Sequence, residues 1–379
     1  MTDNVKDVVI IGAGPYGLAT AAYARHSGLD YVLLGRPMEL WHSHMLDNMM
    51  LRSPIEWHMD PTDEYTIARF FEQSPREREA SAPLTRIEFL NYVDWFMKEH
   101  GIVPQNLIVE RITKPDSFHV KTADGEIVAR NVVLATGLRQ FRFVPEELEW
   151  LLETDRASHS SDHVSYASLL GKPVLIVGGR QSAYEAVKEL SNASQSEVHV
   201  AHRHPTPSFE EAHWEWNYEA VEQLRADPNW FSAHSAAEQE AMQKKYWAEG
   251  REKLEPWLNE ATTRPNVTIH PQTHIVKAQN NPNQVDVNLS DGSQLQVEHI
   301  LFATGYRVRT ERIKMLADLL PKISVSDGFP VLDAMMQSSV PGLYFTGLFG
   351  TRKFGPIFGF VLGCQVAPRI VMNGIKGRA

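Results

Sequence analysis

The chain has 379 residues, 43% hydrophobic and 22% charged, an ordinary soluble composition with length enough for two cores. Its formal net charge of −10 argues against a nucleic-acid partner, and a single cysteine, Cys364, excludes a disulfide framework, a CxxC redox pair and a cysteine zinc site. The start Met1-Thr2-Asp3-Asn4 lacks a basic n-region, and the apolar run over 356–370 is broken by Gln365, Pro368 and Arg369, so a cytoplasmic protein with no membrane partner is expected.

Val8-Val9-Ile10-Ile11 reads as a buried parallel strand. Gly12-Ala13-Gly14-Pro15-Tyr16-Gly17 follows without a gap, and helix-forming residues continue over 18–26. Strand, glycine turn and helix is the context that gives G-x-G-x-x-G its meaning. Gly12 permits the tight turn, Gly14 lets a pyrophosphate approach the backbone, and Gly17 lets the helix lie close to the strand. The phosphates then meet free N–H groups at the positive end of the helix. Tyr31-Val32-Leu33-Leu34 is the second strand. The acid that ordinarily follows it and holds the ribose hydroxyls is replaced by Gly35. Arg36 comes next, either against the adenine or a phosphate, or as a solvated turn residue.

A helix is expected over 85–100, with Thr85 as N-cap and Glu88 closing a capping box. Phe89, Tyr92, Val93 and Phe96 form its apolar face. Antiparallel strands over 107–128 lead into Val132-Val133-Leu134-Ala135-Thr136-Gly137. The chain then repeats itself. Val174-Leu175-Ile176-Val177-Gly178-Gly179-Arg180-Gln181-Ser182-Ala183 is a second strand, glycine turn and helix start. The hairpin turn Asp124-Gly125 returns as Asp291-Gly292, and Ala135-Thr136-Gly137 returns as Ala303-Thr304-Gly305. The offsets are 166, 167 and 168 residues. Two dinucleotide-binding units follow, one inserted in the other.

On this repeat the chain resembles the two-dinucleotide-domain flavoproteins, which include flavin-containing monooxygenases, amino-acid N-hydroxylases and thioredoxin reductases. Gly35-Arg36-Pro37-Met38, His44-Met45, the segment Ser158-His159-Ser160-Ser161-Asp162-His163 and Gly179-Arg180-Gln181-Ser182-Ala183 are most similar to short bacterial FAD-dependent hydroxylases, some of them described as urate hydroxylases. The resemblance implies an α/β fold of two Rossmann-like domains, the NADP domain inserted in the FAD domain. The expected boundaries are 1–165 and 305–379 for the FAD domain and 166–304 for the NADP domain, with a helical insertion over 205–266. FAD is expected on Gly12, Gly14, Pro15, Tyr16 and Gly17, and NADPH on Gly178, Gly179, Arg180, Gln181 and Ser182.

Further positions carry over from the resemblance. Trp41 stands where relatives place an aromatic near the flavin, and Leu51-Arg52-Ser53-Pro54 resembles the segment lining its reactive face. Arg52 is the expected positive charge beside flavin or substrate, against a plain salt bridge. Backbone near Arg111 is expected at the adenine. Gly137, Gly305 and Gly347 belong to the family's Ala-Thr-Gly and final-strand turns. Phe354-Gly355-Pro356 is expected to lead into a last helix aimed at the flavin. In the N-hydroxylase and monooxygenase patterns, Leu348 replaces the usual Asp, and only His159 matches the linker fingerprint F-x-G-x-x-x-H-x-x-x-W/Y.

In the second unit, Arg180 occupies the middle glycine position and is suited to lie along a pyrophosphate. The strand 197–201 ends in His202-Arg203-His204 with no acid, which favours the 2′-phosphate of NADPH. The insertion holds Trp214, Trp216, Trp230, Trp247 and Trp257, five of nine tryptophans. A helix is expected over 238–258, with Tyr246, Trp247, Leu254 and Leu258 facing inward. A lid, a substrate wall, a subunit contact in a homodimer and packing on its own domain all stay open for it.

The resemblance implies a monooxygenase with a small-molecule substrate and O2. Hydride passes from NADPH to the flavin, which activates O2 as a C4a-peroxyflavin. An NAD(P)H-dependent flavin reductase or electron-transfer protein is the alternative. A nucleotide-binding flavoprotein without turnover is the third reading. A thiol reductase is excluded, since Tyr16 stands where Gly-x-Gly-Pro-Cys would put its cysteine.

Overall fold

The structure is a computed structural model that describes residues 5–73, 83–192 and 197–377. Residues 1–4, used above in the targeting argument, lie outside that range. The chain begins with β1 (Lys6–Ile11), α1 (Pro15–His26) and β2 (Tyr31–Leu34). After α2 (Glu39–Ser43) and α3 (Ile67–Glu72) comes α4 (Arg86–His100), then β3 (Val109–Thr113), β4 (Phe118–Thr122) and β5 (Gly125–Leu134). These strands form a sheet in the order β2-β1-β5-β4-β3, with β1 parallel to β2 and β5. The expected capping box is present. The Glu88 amide donates to Thr85 Oγ1 at 3.2 Å, and the Thr85 amide donates to Glu88 Oε2 at 2.8 Å. Phe89, Tyr92, Val93 and Phe96 are all buried.

The second sheet opens with β6 (Ala157–His159), followed by β7 (Val174–Val177), α5 (Gln181–Leu190) and β8 (Val198–His202). The insertion comprises β9 (Ser208–Phe209), α6 (Trp216–Ala226), α7 (Trp230–Ala233), α8 (Ala236–Trp247), β10 (Lys253–Leu254) and α9 (Asn259–Thr262). Next come β11 (Val267–Pro271), an antiparallel trio β12 (Ile275–Asn280), β13 (Val285–Leu289) and β14 (Gln294–Val297), and then β15 (His299–Phe302). The sheet order is β11-β8-β7-β15-β6, all parallel. A small hairpin, β16 (Val325–Ser326) and β17 (Phe329–Pro330), precedes β18 (Leu343–Phe345), which adds to β5 of the first sheet. Helices α10 (Thr351–Phe354) and α11 (Ala367–Lys376) end the chain.

The repeat seen in the sequence is also a repeat in space. Gly12 and Gly178 have φ of +106° and +132°. A Cβ at either would lie 2.3 or 2.4 Å from a carbonyl oxygen, of Ala135 and Ala303 respectively. Each glycine therefore lets the nucleotide turn press on the matching Ala-Thr-Gly strand end.

The insertion departs from expectation in its helix. The helix over 238–258 stops at Trp247, and a π-helical turn, Ala248–Glu252, follows. Gly250 in that turn sits under Trp214, and Pro256 removes a backbone donor beyond it. Trp247 is 52% exposed, its ring 5.5 Å from the Arg180 guanidinium, while Tyr246, Leu254 and Leu258 are buried. The insertion is also not confined to its own domain. Trp214, Val221, Leu224, Phe231 and Tyr246 join the core of the first domain, while Leu254, Leu258 and Ala261, with Phe209 and Trp257 packed against them, join the second.

Candidate functional site

The first glycine turn opens onto a cavity of about 820 Å³. Gly12, Ala13, Gly14, Pro15 and Tyr16 line one side, and Leu107, Ile108 and Val109 line one end. Gly137, Gly347 and Leu348 contribute, as do Phe358, Gly359, Phe360 and Val361. Arg36, Trp41 and Ser53 also lie on the wall. A Cβ on Gly14 would meet nothing within 4 Å, so the space above this glycine is open. A Cβ on Gly17 would lie 1.7 Å from Gly12 O. Gly14 thus leaves room for a ligand, while Gly17 is required by the packing of the helix on the turn.

Tyr16 ties the far wall to the turn. Its hydroxyl donates toward the carbonyls of Phe358 and Phe360, at 2.9 and 2.8 Å. Burial raises its pKa well above the usual tyrosine range, so the phenol stays neutral and keeps its donor. Gly347, at φ +70°, backs the ring: a Cβ there would lie 3.2 Å from Tyr16 Cδ2. Trp41 is tilted on Phe89 at 4.6 Å. Thr346 Oγ1, in the same wall, is buried with no protein partner among the described residues. Leaving such a hydroxyl unsatisfied costs about 1–3 kcal/mol, so the wall is shaped for a polar ligand. At the rim, Arg36 Nη1 donates to Glu39 Oε1 at 2.9 Å, Arg139 lies 3.6 Å from the same oxygen, and Arg142 pairs with Asp162 at 3.0 Å. Three arginines against two acids suit an anion. An open glycine cradle, a helix N-terminus, an orphan hydroxyl and a surplus of positive charge together fit FAD.

Other expected residues stand elsewhere. Arg52 points away from its neighbour Ser53. Its Nε donates to Glu255 Oε1 at 2.6 Å, Nη1 to Gly250 O at 2.7 Å and Nη2 to Lys253 O at 3.0 Å. Its guanidinium ties this loop to the insertion, and the cavity lining includes Ser53 but not Arg52. Arg111 is exposed on β3 and pairs with Asp318, Nη2 to Oδ1 at 2.7 Å; the cavity is met two to four residues earlier, at 107–109. Phe354 is buried, and Gly355, at φ +97°, packs on Phe231 of the insertion. The cavity wall begins at Phe358, and the last helix starts at Ala367, eleven residues beyond Pro356. Two short 3-10 turns occupy the interval. Glu39, Arg139, Gln140 and the 358–361 segment are wall residues with no motif to announce them.

In the second unit, Gly178 and Gly179 form the turn and Arg180 is the N-cap residue of α5. Arg180 Nη1 donates to Arg251 O at 2.7 Å, and Gln181 Nε2 to Glu185 Oε1 at 2.8 Å; Ser182 is exposed on the first turn. His202 lies beneath the turn, where a Cβ on Gly179 would lie 2.4 Å from its ring. It pairs with Tyr184 Oη at 3.2 Å and His204 O at 2.8 Å, and burial lowers its pKa. His202 is thus a neutral support, and Arg203 is the exposed cation at that strand end. Gly305 lies at the crossing between domains, outside the cavity wall, where its carbonyl accepts from His159 Nε2 at 3.1 Å. His159 is fully buried, and burial lowers its pKa too, so it acts as an uncharged pin at the crossing.

A pyridine nucleotide-disulphide oxidoreductase model matches residues 9–245, and a second model of that description matches 239–349. The chain belongs to the pyridine nucleotide-disulphide oxidoreductases. Unlike the disulphide-reducing enzymes the name evokes, this member has one cysteine, Cys364, and it is buried. A probable indole-3-pyruvate monooxygenase of Arabidopsis thaliana, YUCCA8, is 27% identical over 92% of this chain and 85% of its own. The first relatives align over about half to nine-tenths of their own lengths. Among solved structures, an FAD-bound cadaverine monooxygenase of Erwinia amylovora superposes with a TM-score of 0.80 at 18% identity, covering 99% of this chain and 95% of its own. An ornithine N-hydroxylase of Kutzneria sp. 744, with reduced FAD, NADP+ and L-ornithine, gives 0.79 at 18% identity over 99% of both chains. These superpositions establish the two-domain α/β fold.

Proposed function

We propose that this family member is an FAD-dependent, NADPH-consuming monooxygenase of a small molecule, working in the cytoplasm. The observation that carries the reading is the cavity along the first glycine turn, open above Gly14 and walled by apolar side chains, in a chain whose second glycine turn has an exposed arginine, Arg203, at its neighbouring strand end. The relatives named as monooxygenases support it. Among the described residues no helix is long and apolar enough to cross a membrane.

FAD, when bound, supplies the redox chemistry, taking hydride from NADPH and activating O2. The chain's residues bind and enclose. Gly14 and the N-terminus of α1 would hold the pyrophosphate, and Arg203 would reach the 2′-phosphate of NADPH. Trp41, Leu348, Phe360 and Val361 keep water from the reactive end, while Tyr16 holds the 358–361 wall in place. No nucleophile is required of the protein.

The test is stoichiometry. Purified holoenzyme is given NADPH and O2 with a panel of amines, sulfides, ketones and purines. Oxygenated product with little peroxide supports the reading. Peroxide equal to NADPH consumed, with no product from any compound, identifies a flavin reductase instead.

A further inference from the structure

We propose that Glu39 replaces the missing strand-end acid and holds the adenosine ribose hydroxyls of FAD; this rests on the FAD reading above. A ribose carboxylate is ordinarily carried at the end of the second strand. Here that position is Gly35, and the reason is steric. Its φ is +131°, and a Cβ there would lie 3.1 Å from Ala13 N and 3.4 Å from Gly12 Cα. The strand end presses on the glycine turn too closely to carry a side chain.

What the chain loses at 35 it regains four residues later. Met38 adopts a left-handed backbone, φ 50°, and its amide donates to Ala13 O at 3.0 Å. That contact folds the chain back onto the turn, so that Glu39, the first residue of α2, lands on the cavity wall beside Gly35 and Arg36. With the pyrophosphate on Gly12–Pro15 and the adenine toward 107–109, both on the wall of the same cavity, the ribose would lie between the two.

The carboxylate is also prepared for an acceptor role. Arg36 and Arg139 both engage Oε1, which fixes the carboxylate's orientation. Oε2 takes part in no hydrogen bond among the described residues. An ionised carboxylate oxygen accepts two hydrogen bonds and donates none. It matches a pair of vicinal hydroxyls, and it repels phosphate.

That last property makes the test a matter of sign. Apoprotein is titrated with FAD and with FMN, which shares the ring, the ribityl chain and one phosphate but has no adenosine. In Glu39→Gln, FAD affinity falls about ten- to a hundredfold, the loss of a charge-assisted bond, and FMN affinity does not fall. An FAD analogue with a 2′,3′-dideoxyadenosine ribose binds the parent protein weakly and binds Glu39→Gln as FAD does. If the acid merely neutralises Arg36 and Arg139, its removal tightens both flavins, and the proposal is overturned. Equal weakening of both flavins makes Glu39 a structural residue and overturns it too. Should the variant fail to fold, the analogue decides on the parent protein alone: affinity equal to FAD overturns the assignment. A parent protein that takes up neither flavin refutes the FAD reading instead.

Discussion

Two glycines three residues apart differ in what they tolerate. Above Gly14 there is room, so Gly14→Val leaves a folded protein whose extra methyls fill the pyrophosphate position. It purifies colourless with an unchanged apo melting temperature. Gly17→Ala drives a methyl into Gly12 O and costs about 3 kcal/mol of stability, read by denaturant unfolding. At the second strand end, Arg203→Ala lowers the NADPH-over-NADH preference by about ten- to a hundredfold in dissociation constant, whereas His202→Ala weakens both nucleotides alike. A preference for NADH in the parent protein sinks the assignment of Arg203. The glycines were legible because backbone geometry admits few residue types at such turns. Arg52 and His202 were not, because an arginine or histidine in a string gives no direction to its side chain. Arg52 finds carbonyls two hundred residues away.

The capped helix α4 was readable to its first residue, since Thr85 and Glu88 carry their own local signal. The insertion was readable only as helical and tryptophan-rich. Spacing tells which side of a helix is apolar but not which core receives it, and here the first domain does. Arg52→Met removes its tie and leaves Glu255, whose side chain is 9% exposed, without its cation. The cost is on the order of 3 kcal/mol, with earlier proteolysis within 205–266. The second sheet carries an acid sensitivity of its own. Ser158 Oγ lies 2.7 Å from both His163 and His299, and burial lowers the pKa of His299 from 6.5 to about 4. The unfolded chain binds that proton first, so stability falls as pH drops from about 6.5 towards 4 and is regained above. Melting curves across that window show the decline, and His299→Asn makes it shallower, the other buried histidines keeping the rest.

The nested arrangement of two nucleotide units was legible from the offsets of 166 to 168 residues, and the superpositions agree with it. Its mechanical character was not, because it depends on contacts between distant segments. The two chain passages between domains run side by side: Phe143 N bonds Gly305 O at 2.9 Å, Arg307 N bonds Phe141 O at 2.7 Å, and Arg142 bridges Tyr306. Elsewhere the insertion docks Trp214 against Trp57 and Phe360 at 5.1 and 5.7 Å.

A door fixed to its frame at the latch as well as the hinge does not swing. The second domain is anchored both by its paired connections and by a roof sunk into its neighbour. On that footing the two nucleotide turns are expected to keep their separation, and scattering profiles of the holoenzyme with and without NADPH to superimpose. A drop in radius of gyration on adding NADPH would mean that the roof lifts. If it stays down, NADPH would have to enter and leave past walls that do not move.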